Sequence, residues 1–290
     1  MRLSRFVRLS CVVTAAAPVI MLTTVTSASA GTTGYVALGD SYTSAPLILP
    51  LAAGAPLECG QSAINYPHLT AAALGLSLTD VSCGGATVSN MTTAQYPGLA
   101  PQFDALTAST SVVTMGIGGN DNNTFLTAVA GCSALDVLDV LDIGSPCKDA
   151  FGSTFANAIA SDAPNIANAI AGIHALSPRA KVFVVGYPDI LPQSGNCYPQ
   201  LPITTEDVAY LNGIELDLNA MLAAQASTND ATFVNTYTPS IGHDACKPES
   251  VRWIEPILPG TDAAPVHPNA AGEAADASDA EAAMKAAGIG

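Results

Sequence analysis

Four short stretches set chemistry-bearing side chains beside glycines or prolines: YVALGDSYTS around Ser41, CGGATV at 83–88, GIGGNDNN at 116–123 and PVHPNAAG around His267. A serine hydroxyl is too weak to attack an ester unaided. It needs a base, usually histidine, and donors for the oxyanion that forms. Ser41 supplies a hydroxyl. Gly84 and Gly85 let a backbone N–H approach a ligand closely, and Gly118 and Gly119 leave room before Asn120, whose amide can donate to an oxyanion. Each stretch also has an ordinary reading. Gly-Asp-Ser and Gly-Gly are common turn sequences, and Asn120 could form an Asx-turn or cap a helix beginning at Thr124. Ser41 lacks the G-x-S-x-G elbow, because Thr43 stands where the second glycine would be.

The chain has four histidines. His68 and His174 fall in helical segments and read as structural. His243 lies in IGHDAC, three residues before Cys246, in a loop. His267, between Pro265 and Pro268 and ahead of a capped helix, is the best held for acid–base work. Asp40 precedes Ser41 and Asp121 follows Asn120. As a pair they would suggest a metal or glycosidase site. The favoured reading is support: Asp40 holds the turn around Ser41, and Asp121 braces the loop of Asn120.

These residues require elements to position them. Strand-like apolar runs occur at 35–38, 76–81, 112–117, 181–186 and 232–235. Helical patterns lie between them. Residues 66–74 are entered through Pro67. The 153–176 stretch repeats Phe155, Ile159, Ile166, Ile170 and Ile173 at helical spacing, with Pro164 inside. The 204–226 stretch opens on Thr204 with Glu206 and Asp207 behind it, and 269–287 opens on Asn269. Alternating strands and helices predict an α/β fold with a parallel sheet covered on both faces, whose sites form at the carboxyl ends of strands. Ser41, Gly85 and Asn120 each fall just beyond such an end.

Residues 1–30 read as a signal peptide: Arg2, Arg5 and Arg8, an apolar stretch, then Ala28-Ser29-Ala30 before a cleavage near Gly31. The remainder, 31–290, reads as one domain that is exported and has no transmembrane segment. The formal charge of −15, more negative once the leader arginines are gone, argues against nucleic acid and anionic surfaces as partners. The cysteines beyond the leader form an even set, as expected for disulfides in an exported chain. Local pairing gives Cys59–Cys83, Cys132–Cys147 and Cys197–Cys246. No C-x-x-C pair occurs and the histidines do not cluster with cysteines, so neither a metal nor a cofactor is expected.

Taken in order, Gly39-Asp40-Ser41, the glycine after the second strand, Gly-Gly-Asn-Asp after the third and His-Pro-Asn near the end resemble the SGNH hydrolases, the GDSL-type esterases and lipases. The resemblance spans almost the whole of 31–290. It implies a three-layer, flavodoxin-like α/β/α sandwich with a central five-stranded parallel sheet. It also implies residue roles: Ser41 as nucleophile and backbone oxyanion donor, Gly85 and Asn120 as further donors, and His267 as general base.

One position departs from the family pattern. Asp-x-x-His is usual, but Ala264 stands where the aspartate would be. Either a main-chain carbonyl, most simply that of Ala264, accepts from His267 Nδ1, or Asp262 swings in. The carbonyl reading, a Ser–His dyad, is favoured. The expected activity is hydrolysis of acyl esters by a monomer acting on a small-molecule or lipid ester. The apolar, Pro-rich loop 44–58 is a candidate acyl-pocket wall or lipid-interface element, and equally a stapled structural loop. Phospholipase and carbohydrate O-acetylesterase activities are alternatives on the same site, although one Trp, seven Phe and eight Tyr leave few sugar-stacking platforms. The contrasting class is a disulfide-stapled envelope binding protein without activity.

Overall fold

A computed structural model describes residues 33–258 and 262–290, together with Met1. The signal peptide expected at 1–30 therefore lies outside the described residues, apart from Met1. Thr32–Gly290 is one compact unit.

Five strands form a single parallel sheet. They are β1 (Gly34–Gly39), β2 (Ser77–Asp80), β3 (Val112–Gly116), β4 (Lys181–Val185) and β5 (Thr232–Val234), in the order β2-β1-β3-β4-β5. Each falls within a residue or two of its apolar run in the sequence. Side chains alternate across the sheet, as the period of two demands. Tyr35, Ala37, Phe183 and Val185 face one core; Val36, Leu38, Met115, Val182 and Val184 face the other.

Helices cover both faces. The first core is closed by α2 (Tyr66–Leu74) and α5 (Ala270–Ala286), which supply Tyr66, Ala71, Ala277, Ala280 and Met284. The second is closed by α3 (Thr154–Leu176) and α4 (Thr205–Thr228), which supply Ile159, Ile166, Ile170, Leu218 and Leu222. Each such side chain taken from water contributes about 1.5–3 kcal/mol. A one-turn helix, α1 (Ser41–Ser44), follows β1 directly.

The caps are those the sequence implies. Thr204 accepts from Asp207 N–H, and Asn269 accepts from Ala271 and Gly272 N–H. Pro164 sits within α3, which continues unbroken across it. Disulfides join Cys59–Cys83, Cys132–Cys147 and Cys197–Cys246. Among the described residues no helix is long and apolar enough to cross a membrane.

Candidate active site

The first three strands in space, β2, β1 and β3, deliver three loops to one edge of the sheet. The β1 loop carries Ser41. Its turn begins at Gly39, where a Cβ would lie 2.2 Å from Thr43 Oγ1 and 2.7 Å from the Gly116 carbonyl oxygen, so no side chain fits. Gln102 clamps the same residue: Gly39 N–H donates to Gln102 Oε1 (2.8 Å), and Gln102 Nε2 donates back to the Gly39 carbonyl (2.9 Å). Asp40 caps α1 by accepting from Tyr42 N–H at 2.9 Å. Its other oxygen accepts from the Tyr187 hydroxyl (2.6 Å), which itself accepts from Gly119 N–H (2.8 Å). Burial pushes the Asp40 carboxyl up to about 7, against the pull of the Tyr187 hydroxyl and the Tyr42 N–H. Asp40 thus holds the turn around Ser41, as expected, and also ties it to the β3 and β4 loops.

His267 reaches Ser41 from the loop ahead of α5. Its Nε2 lies 2.7 Å from Ser41 Oγ. Its Nδ1 lies 2.8 Å from the carbonyl oxygen of Pro265. This corrects the sequence expectation by one residue: the Ala264 carbonyl accepts from the main-chain N–H of His267 (3.2 Å) and not from its ring. Asp262 is exposed and is not the acceptor of the ring N–H. The offset arises at Val266, which adopts φ 56°, a left-handed backbone that a β-branched residue rarely takes. Both of its backbone groups are held. Its N–H donates to Glu255 (2.8 Å), and its carbonyl accepts from the Tyr42 hydroxyl (2.5 Å). The imidazole stacks on Tyr42 with ring centres 4.7 Å apart and meets Phe125 edge-on at 5.4 Å.

The remaining loops are laced together. Asn120 Nδ2 donates to the Ala86 carbonyl (3.1 Å), and the Asp121 carboxylate accepts from Val88 N–H at 3.1 Å. These bonds join the β3 loop to the β2 loop, so Asp121 braces Asn120 as expected, and the Asn120 side chain makes no helix-cap hydrogen bond. Gly85 has φ 76°, which glycine adopts at no cost. Among the described residues, the N–H groups of Ser41 and Gly85 donate to no protein acceptor, and one hydrogen of the Asn120 amide stays unused. The other histidines are structural. His68 contacts Asn65 and Asp80, His174 contacts the Asn229 carbonyl, and His243 stacks on Trp253.

An apolar cavity with an empty volume of about 700 Å³, its open mouth included, adjoins the pair through Gly119, Tyr187 and Val266. Phe125, Ile159, Leu201, Leu211 and Leu218 form much of its wall, with Glu215 among them. Burial, with the nearby Asp189, holds the Glu215 carboxyl well above the usual carboxylate range. No residue of loop 44–58 lines this cavity. Instead Ala45 and Ile48 pack with Ala263, while Leu47, Leu49 and Leu57 are exposed.

Residues 37–275 match the GDSL-like lipase/acylhydrolase family. The chain belongs to that family. It is 46% identical over 245 residues to Lipase 2 of Streptomyces coelicolor, covering 83% of this chain and 82% of that one. Among solved structures, phospholipase A1 from Streptomyces albidoflavus superposes with a TM-score of 0.72 at 26% identity, over 88% of this chain and 99% of that one. The extracellular lipase of Streptomyces rimosus gives 0.70 at 27%, over 87% and 99%. As a GDSL-like lipase/acylhydrolase, the protein is a carboxylic ester hydrolase, and the non-enzymatic alternative falls away.

This lipase keeps its histidine unusually acidic. Burial brings the His267 imidazolium down to about 4, opposed only by the hydrogen bond to Pro265. No carboxylate is there to favour the charged ring. A folded value below the unfolded 6.5 means that this group's contribution to stability is present above pH 6.5 and is lost as pH falls through about 4. The acid limb of kcat/KM is accordingly expected near pH 4, measured on a monomeric ester; a limb at the ordinary histidine value would contradict the burial argument. Asp262→Ala is expected to leave kcat/KM within about threefold. A thousandfold loss would instead make Asp262 the group that orients the histidine.

Sequence reasoning missed Tyr187, Gln102, Tyr42 and Phe125. Tyr42 and Tyr187 carried a signal, since they lie just past the carboxyl ends of β1 and β4, where the rule that selected Ser41 and Asn120 also applies.

Proposed function

We propose that this acylhydrolase cleaves lipid acyl esters through a Ser41–His267 dyad. The observation that carries the reading is the 2.7 Å contact between Ser41 Oγ and His267 Nε2, with Nδ1 turned to the Pro265 carbonyl. The carbonyl can only accept, so it fixes the proton on Nδ1 and leaves Nε2 to take the serine proton. Ser41 Oγ then attacks the ester carbonyl as its proton passes to Nε2. The tetrahedral oxyanion is received by the N–H groups of Ser41 and Gly85 and by the free amide hydrogen of Asn120. Collapse expels the alcohol, which takes the proton from Nε2, and water repeats the sequence on the acyl-enzyme. A neutral acceptor stabilises the imidazolium less than a carboxylate, which fits the depressed histidine.

The apolar lining of the cavity supports a medium or long acyl chain over acetate. Similarity to a phospholipase A1 makes glycerophospholipid acyl bonds a candidate substrate alongside neutral glycerides. The arginine-led, apolar N-terminus and three disulfides support export. The test is a p-nitrophenyl ester series of increasing chain length. kcat/KM is expected to rise from acetyl to a medium-chain optimum. An acetyl optimum with falling rates thereafter would refute the acyl-cavity assignment.

A further inference from the structure

Between Cys132 and Cys147 the sequence reads CSALDVLDVLDIGSPC, with Asp136, Asp139 and Asp142 spaced by the pairs Val137-Leu138 and Val140-Leu141. The fold exposes the aliphatic residues, buries one aspartate and hydrogen-bonds the other two. Asp136 is buried and accepts from Thr204 N–H (3.0 Å). Asp142 accepts from the N–H and hydroxyl of Thr205 (2.6 and 2.7 Å), and Asp139 from Ile143 N–H (3.2 Å). The aliphatic residues point to water: Leu138 is 88% exposed, Leu141 75%, Ile143 66% and Val140 65%. Both bounding cysteines are fully buried and joined, so the apolar loop is anchored at its base in the core. A contiguous exposed patch of this kind marks an interaction surface.

Its neighbours indicate what covers it. The preceding helical segment, 124–136, turns Phe125, Ala128 and Val129 into the acyl cavity and leaves Leu126 exposed. Ile257 lines the same cavity, and the next residue, Leu258, is exposed. The patch is therefore continuous along the chain with the cavity wall. Charge narrows the partner further. No lysine or arginine occurs between Arg8 and Lys148, and the whole chain is strongly acidic. The loop itself thus carries no cation for an anionic headgroup, and the net charge repels both anionic surfaces and a second copy of the chain.

We propose that the Cys132–Cys147 loop docks the enzyme on a lipid–water interface of zero net charge, such as a zwitterionic bilayer, beside the mouth of the acyl cavity. The inference rests on the lipid-ester reading above. Leu138 and Leu141 insert as apolar anchors, while Asp136 is buried in the protein and the exposed Asp142 is held at the base of the loop by Thr205.

The test uses the full chain in two forms. A Ser41→Ala background, which does not consume lipid, is sedimented with phosphatidylcholine vesicles with and without added phosphatidylglycerol, and then again carrying L138S/L141S. The otherwise wild-type L138S/L141S enzyme is assayed on a monomeric short-chain ester. Both side chains are exposed, so thermal unfolding is expected to match the parent. Vesicle partitioning is expected to fall at least about tenfold in the double variant, with monomeric-ester kcat/KM within about twofold and wild-type binding weakened by phosphatidylglycerol. Undiminished partitioning of the double variant overturns the proposal. So does tighter binding to anionic vesicles, or a wild-type dimer that the double substitution dissolves. Failure of wild type to turn over any short-chain ester would strike the ester reading, whereas turnover with unchanged vesicle binding by L138S/L141S defeats docking alone.

Discussion

Ser41→Ala is expected to lower kcat on p-nitrophenyl esters by about 10⁵-fold, with KM changed only a few-fold. The substitution removes the attacking oxygen and little else. Asp40 still caps the turn through the main-chain N–H of Tyr42, and Gln102 still holds Gly39, because neither bond uses the serine side chain. The scaffold therefore survives, and circular dichroism with thermal unfolding should match wild type. Some acceleration over water should persist, because the oxyanion donors are backbone groups and Asn120. Since Ser41 and His267 act as one unit, the Ser41→Ala/His267→Ala double variant should be no slower than either single variant. Multiplicative losses would mean that the two residues do not share a step.

The second large effect concerns the oxyanion. Asn120→Ala is expected to reduce kcat by about 10²–10³-fold with KM nearly unchanged, since the lost hydrogen bond is made only as charge develops. Part of the change is structural, because Asn120 also donates to the Ala86 carbonyl. Thermal unfolding of the alanine variant measures the structural part, and Asn120→Asp removes both donations at once. The aspartate keeps the side-chain shape but replaces the donor with an acceptor, so that variant should be at least as slow as alanine. An aspartate variant with near-wild-type kcat would remove Asn120 from the oxyanion site.

The three central strands were legible because they are buried on both faces and so appear as continuous apolar runs, as at Val112–Gly116. The helices were legible where caps marked them, at Thr204 and Asn269. Ser41, Gly85 and Asn120 could be grouped because adjacent parallel strands must bring their carboxyl ends to one edge. The residue that orients His267 could not be read, because it depends on a single left-handed residue, Val266, whose side chain argues against that backbone. Gln102 was invisible for a different reason: it clamps Gly39 across 63 positions, and a buried glutamine at the start of a single 3-10 turn leaves no periodic trace. The acyl cavity was hidden within helical patterns. Ile159, Leu211 and Leu218 read as core, which they are, but on one side they face space in place of another side chain.

The central claim is that His267 activates Ser41 as the acylated nucleophile. The most direct measurement is reaction with a p-nitrophenyl phosphonate ester, followed by mass spectrometry of the intact and digested protein. A single adduct on the Ser41 peptide is predicted, absent from Ser41→Ala and formed far more slowly by His267→Ala. Labelling of another residue, or an undiminished labelling rate in His267→Ala, would contradict the account.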